Sequence, residues 1–217
     1  MKTLHTLLTP LLLLGLAAQE LSPVSLAMIS SFDVSVLMEE LVNGLTHIIP
    51  DGLDHLAFLL GLFFLSRNLP TLLLQVTIFT LAHSLTLGLV ILLGLNLPPQ
   101  WVEVAVGLSI ALLALEGFYP KKLQRWRPLM IILFGGVHGL AFAHNLLLTE
   151  NLRRGPLAAL FGFNLGVECG QIFVVGILVL AFSLWWQRAW YQRRVAQPML
   201  ACVAFAGLTW AVQRWPV

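Results

Sequence analysis

Apolar residues occupy this chain in long runs, parted by short breaks of proline, glycine and charge. The runs lie at about 51–66, 70–95, 101–118, 128–148, 156–186 and 198–215. Three exceed the ~20 residues a helix needs to cross a hydrocarbon core, and 101–118 and 198–215 fall within the workable range of about 17–25. None shows the apolar–polar alternation over about ten residues that a barrel strand requires. Ahead of them, residues 33–49 read differently. Asp33 can cap a helix, and Val34, Leu37, Leu41, Leu45 and Ile48 recur at helical spacing, while Glu39 and Glu40 argue against a full span. This stretch is expected to be an amphipathic helix at the membrane interface, ended by Pro50. The pattern as a whole predicts an all-α, polytopic transmembrane helical bundle.

Residues 1–27 have the form of a secretory signal. Lys2 gives a charged start, Leu7 to Ala18 an apolar core too short to span, and Ala17-Ala18 and Ser25-Leu26-Ala27 offer small residues for cleavage. Cleavage leaves six spans, and retention as an anchor gives seven. Residues 28–217 then form a single transmembrane domain. Cations orient it. Arg67, then Lys121, Lys122, Arg125 and Arg127, then Arg188, Arg193 and Arg194 follow spans one, three and five, whereas the other side holds only Arg153, Arg154 and Arg214. The positive-inside rule therefore makes loops 67–69, 119–127 and 187–197 cytoplasmic and residues 28–50 extracytoplasmic.

Composition narrows the class. Of the 217 residues, 59% are hydrophobic and 10% charged, against about 25% charged in a soluble domain, so the chain belongs in a lipid bilayer. A net charge of +2 gives no ground for a nucleic-acid partner. Cys169 and Cys202 fall in different spans and are expected to pack rather than to form a disulfide.

The polar exceptions inside the apolar runs carry the chemistry. A charge in hydrocarbon costs roughly 2.5–3.5 kcal/mol or more, so such groups are paired or used. They are His47, Asp51, Asp54 and His55, then His83, Glu103, Glu116, His138, His144, Asn164, Glu168 and Gln171. At about 1.5 Å per residue, His47, Asp51, Asp54, His55 and Glu103 are expected near the outer surface, and His144 in the outer part of its span. His83, His138 and Glu168 are expected near the midplane, and Glu116 near the cytoplasmic end. Asp51 and His55 share a helix face with Asp54 beside them. Imidazole with carboxylate suits divalent first-row metals. The plain alternative is a capped helix start with an interfacial histidine. In span two, Thr80, Ser84 and Thr86 are expected to bond their own backbone. In span four, Gly135 and Gly139 offer a close-packing face with His138 at its edge. In span five, Gly162, Gly166 and Gly170 make one strip, and Asn164, Glu168 and Gln171 a second one roughly 170° away. One strip should meet a tightly packed helix and the other a polar cavity, which places span five near the bundle centre.

These segments resemble the HupE/UreJ family of small polytopic bacterial membrane proteins, associated with metal supply to hydrogenase and urease. The matching pieces are His47-Ile-Ile-Pro-Asp-Gly-Leu-Asp54-His55, Phe79-Thr-Leu-Ala-His83-Ser-Leu-Thr-Leu87, Val102-Glu103, Phe134-Gly-Gly-Val-His138-Gly-Leu-Ala-Phe142 and Phe163-Asn164-Leu-Gly-Val-Glu168-Cys-Gly-Gln171. The resemblance implies a multi-pass protein of the bacterial inner membrane and a nickel or cobalt permease. Its metal set would be His47, Asp51, Asp54, His55, His83, His138 and Glu168, supported by Glu103, Glu116, His144, Asn164 and Gln171. The metal would be substrate, with zinc or copper as other candidates, and homo-oligomers or metalloenzyme maturation proteins as candidate partners. No phosphate-binding loop, dinucleotide fingerprint or serine-nucleophile motif is present, so a gradient or the membrane potential would drive transport. Two rival readings stand beside the permease. One is an intramembrane zinc-dependent hydrolase, with three imidazoles, an activated water, and Glu168 or Asp54 as base. The other is a non-catalytic assembly subunit whose polar groups only tie helices together.

Overall fold

The computed structural model of the protein describes residues 32–95, 98–119 and 126–216. The expected signal at 1–27, Lys121, Lys122, Arg125 and the side chain of His144 lie outside the described residues. The described chain is helical: α1 (Val34–Ile48), α2 (Leu53–Leu65), α3 (Leu69–Leu93), α4 (Pro99–Leu115), α5 (Arg127–Leu147), the short α6 (Asn151–Arg154), α7 (Pro156–Phe182) and α8 (Gln197–Gln213). Local chemistry sets several starts. Asp33 Oδ1 accepts from the Ser35 and Val36 amides to open α1, and Asn68 Oδ1 accepts from the Thr71 amide to open α3. Prolines stand in the first turns of α3, α4, α5, α7 and α8, where a missing N–H costs nothing.

Among the described residues, five helices are long and apolar enough to cross a membrane. The pair α1 and α2 passes the same test only when taken together, and is bent by 66° at its junction, as a broken span or a re-entrant loop would be. Glycines seat the bundle in three close pairs. Gly162, Gly166 and Gly170 of α7 lie against Leu37, Leu41 and Ile48 of α1, and Gly44 of α1 lies against Phe163 and Val167. Gly135 and Gly139 of α5 lie on the backbone of Phe79 and His83 of α3. Gly107 of α4 faces Gly207 and Ala211 of α8. At such positions any side chain would hold the backbones apart. The centre belongs to α2. His55, Ala57, Phe58, Leu59, Gly61, Leu62, Phe63 and Phe64 are all buried, as expected of a helix that is apolar all round.

Three expectations need correcting. The segment 33–49 is not an interfacial helix. It runs parallel to α7 into the bundle, with Leu37 opposite Gly162 and Ile48 opposite Gly170, midway along α7. Its buried stripe is Val36, Glu40, Gly44 and Ile48, while Val34 and Leu45 are exposed, because Gly44 has to meet α7. Glu40 can be buried there because Asn43 and Asn151 both donate to its Oε1. Second, α7 is peripheral: Leu157, Phe161, Leu165, Ile172, Phe173, Ile177 and Leu180 are exposed. Its polar strip needs no central cavity, because α3 supplies hydroxyls to it. Third, Cys169 and Cys202 are exposed free thiols rather than packing residues.

The two ends of the bundle differ. One carries Arg67, Arg127, Arg188, Arg193 and Arg194, with Arg127 held by Glu116 through contacts of 2.7, 3.0 and 3.1 Å. The other carries Asp33, Glu39, Glu103 and Glu150, together with Arg153, Arg154 and Arg214.

Candidate metal centre

The break between α1 and α2 builds the site. After Ile48 the backbone leaves the helix, and the Asp51 amide donates back to the Thr46 carbonyl. Gly52 then passes so close to the His47 carbonyl that a Cβ would collide with it. A glycine is therefore required, and α2 starts at once behind it. The break aims the carbonyl end of α1 and the amide end of α2 toward one point in mid-bundle. The first favours a cation and the second favours Asp51 and Asp54.

Four imidazoles from four helices meet there. The ring centroids of His47 (α1) and His55 (α2) are 4.8 Å apart. His55 lies 5.6 Å from His83 (α3) and 5.0 Å from His138 (α5). His55, His83 and His138 are buried. Phenylalanines wall the cluster: Phe142 and Phe163 against His47 at 4.3 and 5.4 Å, and Phe58 and Phe79 against His138 at 5.3 and 5.1 Å. His47 and His55 thus sit as deep as His83 and His138, not near the outer surface, because α1 carries the chain halfway through the bundle before it breaks.

A cavity of about 210 Å³ leads from the carboxylate-rich end to these rings. Asp51, Asp54, Glu103 and Arg214 line it together with His47, His55 and His138. Arg214 Nη2 donates to Asp54 at 3.0 and 3.3 Å and its Nε lies 4.0 Å from Glu103. A second cavity of about 210 Å³, lined by Glu40, Asn43 and Thr46 among others, also touches His47 and Asp51.

Several ring nitrogens in the cluster are buried without a hydrogen-bond partner: His47 Nε2, His55 Nε2, both nitrogens of His83, and His138 Nδ1. The His138 tautomer follows from its neighbour. Ser109 has one hydroxyl proton, and its 2.7 Å bond to the Val106 carbonyl uses it. With that proton on the Val106 carbonyl, the 3.1 Å contact between Ser109 Oγ and His138 Nε2 takes its proton from the ring. Nε2–H donates to Ser109, and Nδ1 keeps a free lone pair. Such unsatisfied, apolar-walled imidazole nitrogens suit a first-row transition-metal dication. Among the described residues no three His, Cys, Asp or Glu side chains are already set as a metal shell.

The other expected residues lie elsewhere. Glu168, Asn164 and Gln171 face α3: Thr77 donates to Glu168 at 2.9 Å, Thr80 to Gln171 at 2.7 Å and Ser84 to Asn164 at 2.6 Å. Glu168 and Asn164 line a lateral groove of about 540 Å³ with Leu81, Phe161 and Leu165, separate from the cavity above the histidines. Thr80, Ser84 and Thr86 also bond the carbonyls four residues back. Glu116 is buried against Arg127. His144 belongs to α5. Ser109 and Arg214 were not singled out as site residues from sequence. A serine in an apolar helix and an arginine near a chain end carry no signal by themselves. The four phenylalanines do stand inside or beside the histidine-bearing segments.

Comparison of the chain with curated proteins and with solved structures finds no match. A family model described as HupE / UreJ protein matches residues 25–214, a span that holds every residue of the histidine cluster and of its cavity. The extent of that match shows that the chain belongs to the HupE/UreJ family, which is associated with nickel/cobalt transport or with urease and hydrogenase maturation.

Proposed function

We propose that the protein is a permease for a divalent transition-metal ion, nickel or cobalt. The supporting observation is the cluster of His47, His55, His83 and His138, with unpartnered ring nitrogens, at the foot of a cavity whose mouth carries Asp51, Asp54 and Glu103. On this reading the arginine-rich end is cytoplasmic. Carboxylates draw the hydrated ion into the cavity, and imidazoles replace part of its water in mid-bundle. Rings about 5 Å apart from centre to centre are at the spacing of imidazoles that share one ion. The membrane potential supplies about 2.3 kcal/mol per charge per 100 mV, hence about twice that for a dication moving inward. On this reading Glu168 serves as a helix-pairing group on the α3/α7 seam, where it accepts from Thr77, and not as a ligand.

The test is nickel and cobalt titration of the purified full-length protein, with uptake into proteoliposomes, beside the His55→Ala/His83→Ala variant. His55 touches three other imidazoles, so its loss should disperse the cluster. Reversible binding and uptake in the wild type, both reduced at least about tenfold in the variant, are expected. Equal uptake by the two would refute the permease reading, and tightly retained zinc with hydrolytic activity would favour the hydrolase.

A further inference from the structure

Arg214 is the one cation among the residues lining the histidine cavity, and a metal route gains nothing from it directly. A guanidinium has five donors, no lone pair, and stays charged at any physiological pH. It cannot ligate a metal and it repels one. Yet this arginine is deliberately seated. It caps the end of α8, its amide donating to the Trp210 carbonyl, where the helix carbonyls favour a cation. The guanidinium lies 5.8 Å from the Trp210 ring centre. The neighbouring Trp215 packs edge-on against Trp101 at 5.3 Å, which ties the end of α8 to the start of α4.

What Arg214 holds is the carboxylate the ion would need. Its Nη2 contacts both oxygens of Asp54, and its Nε approaches Glu103, so the two carboxylates on either side of the mouth are bridged by one charge. Asp51, the remaining acid, is exposed and has no part in that bridge. Asp54 is only partly exposed, with about a quarter of its side chain open to solvent, and Arg214 is open to the same degree, so the pair is neither a solvated surface contact nor a sealed one. Both partners can separate when a stronger competitor arrives.

We propose that Arg214 is a resident counter-cation at the mouth: it occupies Asp54 and Glu103 when no metal is present, is displaced by the incoming dication, and returns to Asp54 once the ion has moved on to the histidines. This inference rests on the permease reading and refines it. An ion with two charges and a compact shell can outcompete one delocalised charge, whereas a monovalent ion cannot, so the exchange favours dications. It also keeps the mouth from becoming a trap, since the bound ion always faces a competitor for its ligand. Arg214 is thus a positioning residue that acts through Asp54, not a ligand.

The experiment is nickel titration of purified full-length wild type, Arg214→Gln, Arg214→Lys, Asp54→Asn and the Asp54→Asn/Arg214→Gln double variant, with uptake rates in proteoliposomes. Arg214→Gln should bind nickel about tenfold more tightly, an ordinary coupling between touching charged groups, and should saturate at lower nickel with a lower maximal rate. Arg214→Lys keeps the charge and should stay within about threefold of wild type. In the Asp54→Asn background the glutamine change should tighten binding clearly less than in the wild type, because the closer partner is gone and only the Glu103 contact and the bare charge remain. Unchanged or weaker binding by folded Arg214→Gln, or tightening of the same size with and without Asp54, overturns the proposal while leaving the permease standing. A loss of thermal stability in Arg214→Gln with no change in affinity marks a purely structural ion pair and overturns it as well. Absence of nickel and cobalt binding by folded wild type removes the permease reading and this inference together.

Discussion

At the residue scale the site depends on which nitrogen of each imidazole is free. His138 shows how a neighbour decides it. With the Ser109 proton on the Val106 carbonyl, Ser109 accepts from Nε2–H and Nδ1 keeps its lone pair. Ser109→Ala removes that acceptor and leaves the ring free to change tautomer. Groups that orient a metal ligand through its far nitrogen are commonly worth tenfold or more in affinity. Nickel binding by Ser109→Ala is therefore expected to weaken about tenfold with little change in melting temperature, which titration and thermal unfolding in detergent together would check. Aspartate chemistry at the start of α1 is separate and titratable. The Ser35 hydroxyl and amide hold the partly exposed Asp33 carboxyl below the usual carboxylate range. A depressed folded pKa stabilises the fold above the ordinary value of 3.8 and ceases to do so as pH falls through the folded value. The acid limb of a stability–pH curve should accordingly flatten in Asp33→Asn, measured by thermal melts between about pH 3 and 7.

At the element scale, glycines matter because they fix where the histidines stand. The α1/α7 contact sets the depth of His47, and the α3/α5 contact brings His83 and His138 to one level. Gly166 lies against the Leu41 carbonyl, the Leu45 amide and Gly44, with no room for a side chain. Gly166→Leu should push α1 off α7, cost about 1–3 kcal/mol of stability, and lower metal affinity although it touches no ligand. A variant with wild-type melting and wild-type nickel affinity would show that α1 does not need that seat. The small-residue strips and the histidine-bearing segments were legible in the sequence, since spacing of four places such residues on one helix face. Which face of α1 would turn inward was not. The apolar series Val34, Leu37, Leu41, Leu45 and Ile48 reads as the buried face, but in a bilayer apolar side chains gain nothing by facing protein rather than lipid, so the glycine contact chose instead.

At the scale of the whole molecule, five helices and one broken pair make a bundle with unlike ends, and the cavity opens at the carboxylate-rich one. Orientation in the membrane gives transport its direction. A cysteine at Arg188, in a background with Cys169 and Cys202 replaced by alanine, should react with a membrane-impermeant maleimide only from the cytoplasmic side. Labelling from the outside alone would invert the topology and turn the histidine cavity toward the cytoplasm.

The sequence alone determined the helical membrane class, the approximate runs of apolar chain, the family resemblance and most of the histidine cluster, because those depend on the cost of placing polar groups in hydrocarbon and on one helical period. Only the tertiary structure decided that α1 and α2 form one bent pair, that His47 and His55 meet His83 and His138, that Glu168 accepts from Thr77, and that Arg214 closes over Asp54. Each of these rests on contacts between residues far apart in the chain. Helical periodicity tells which residues share a face, and close backbone approach between helices tells what that face meets.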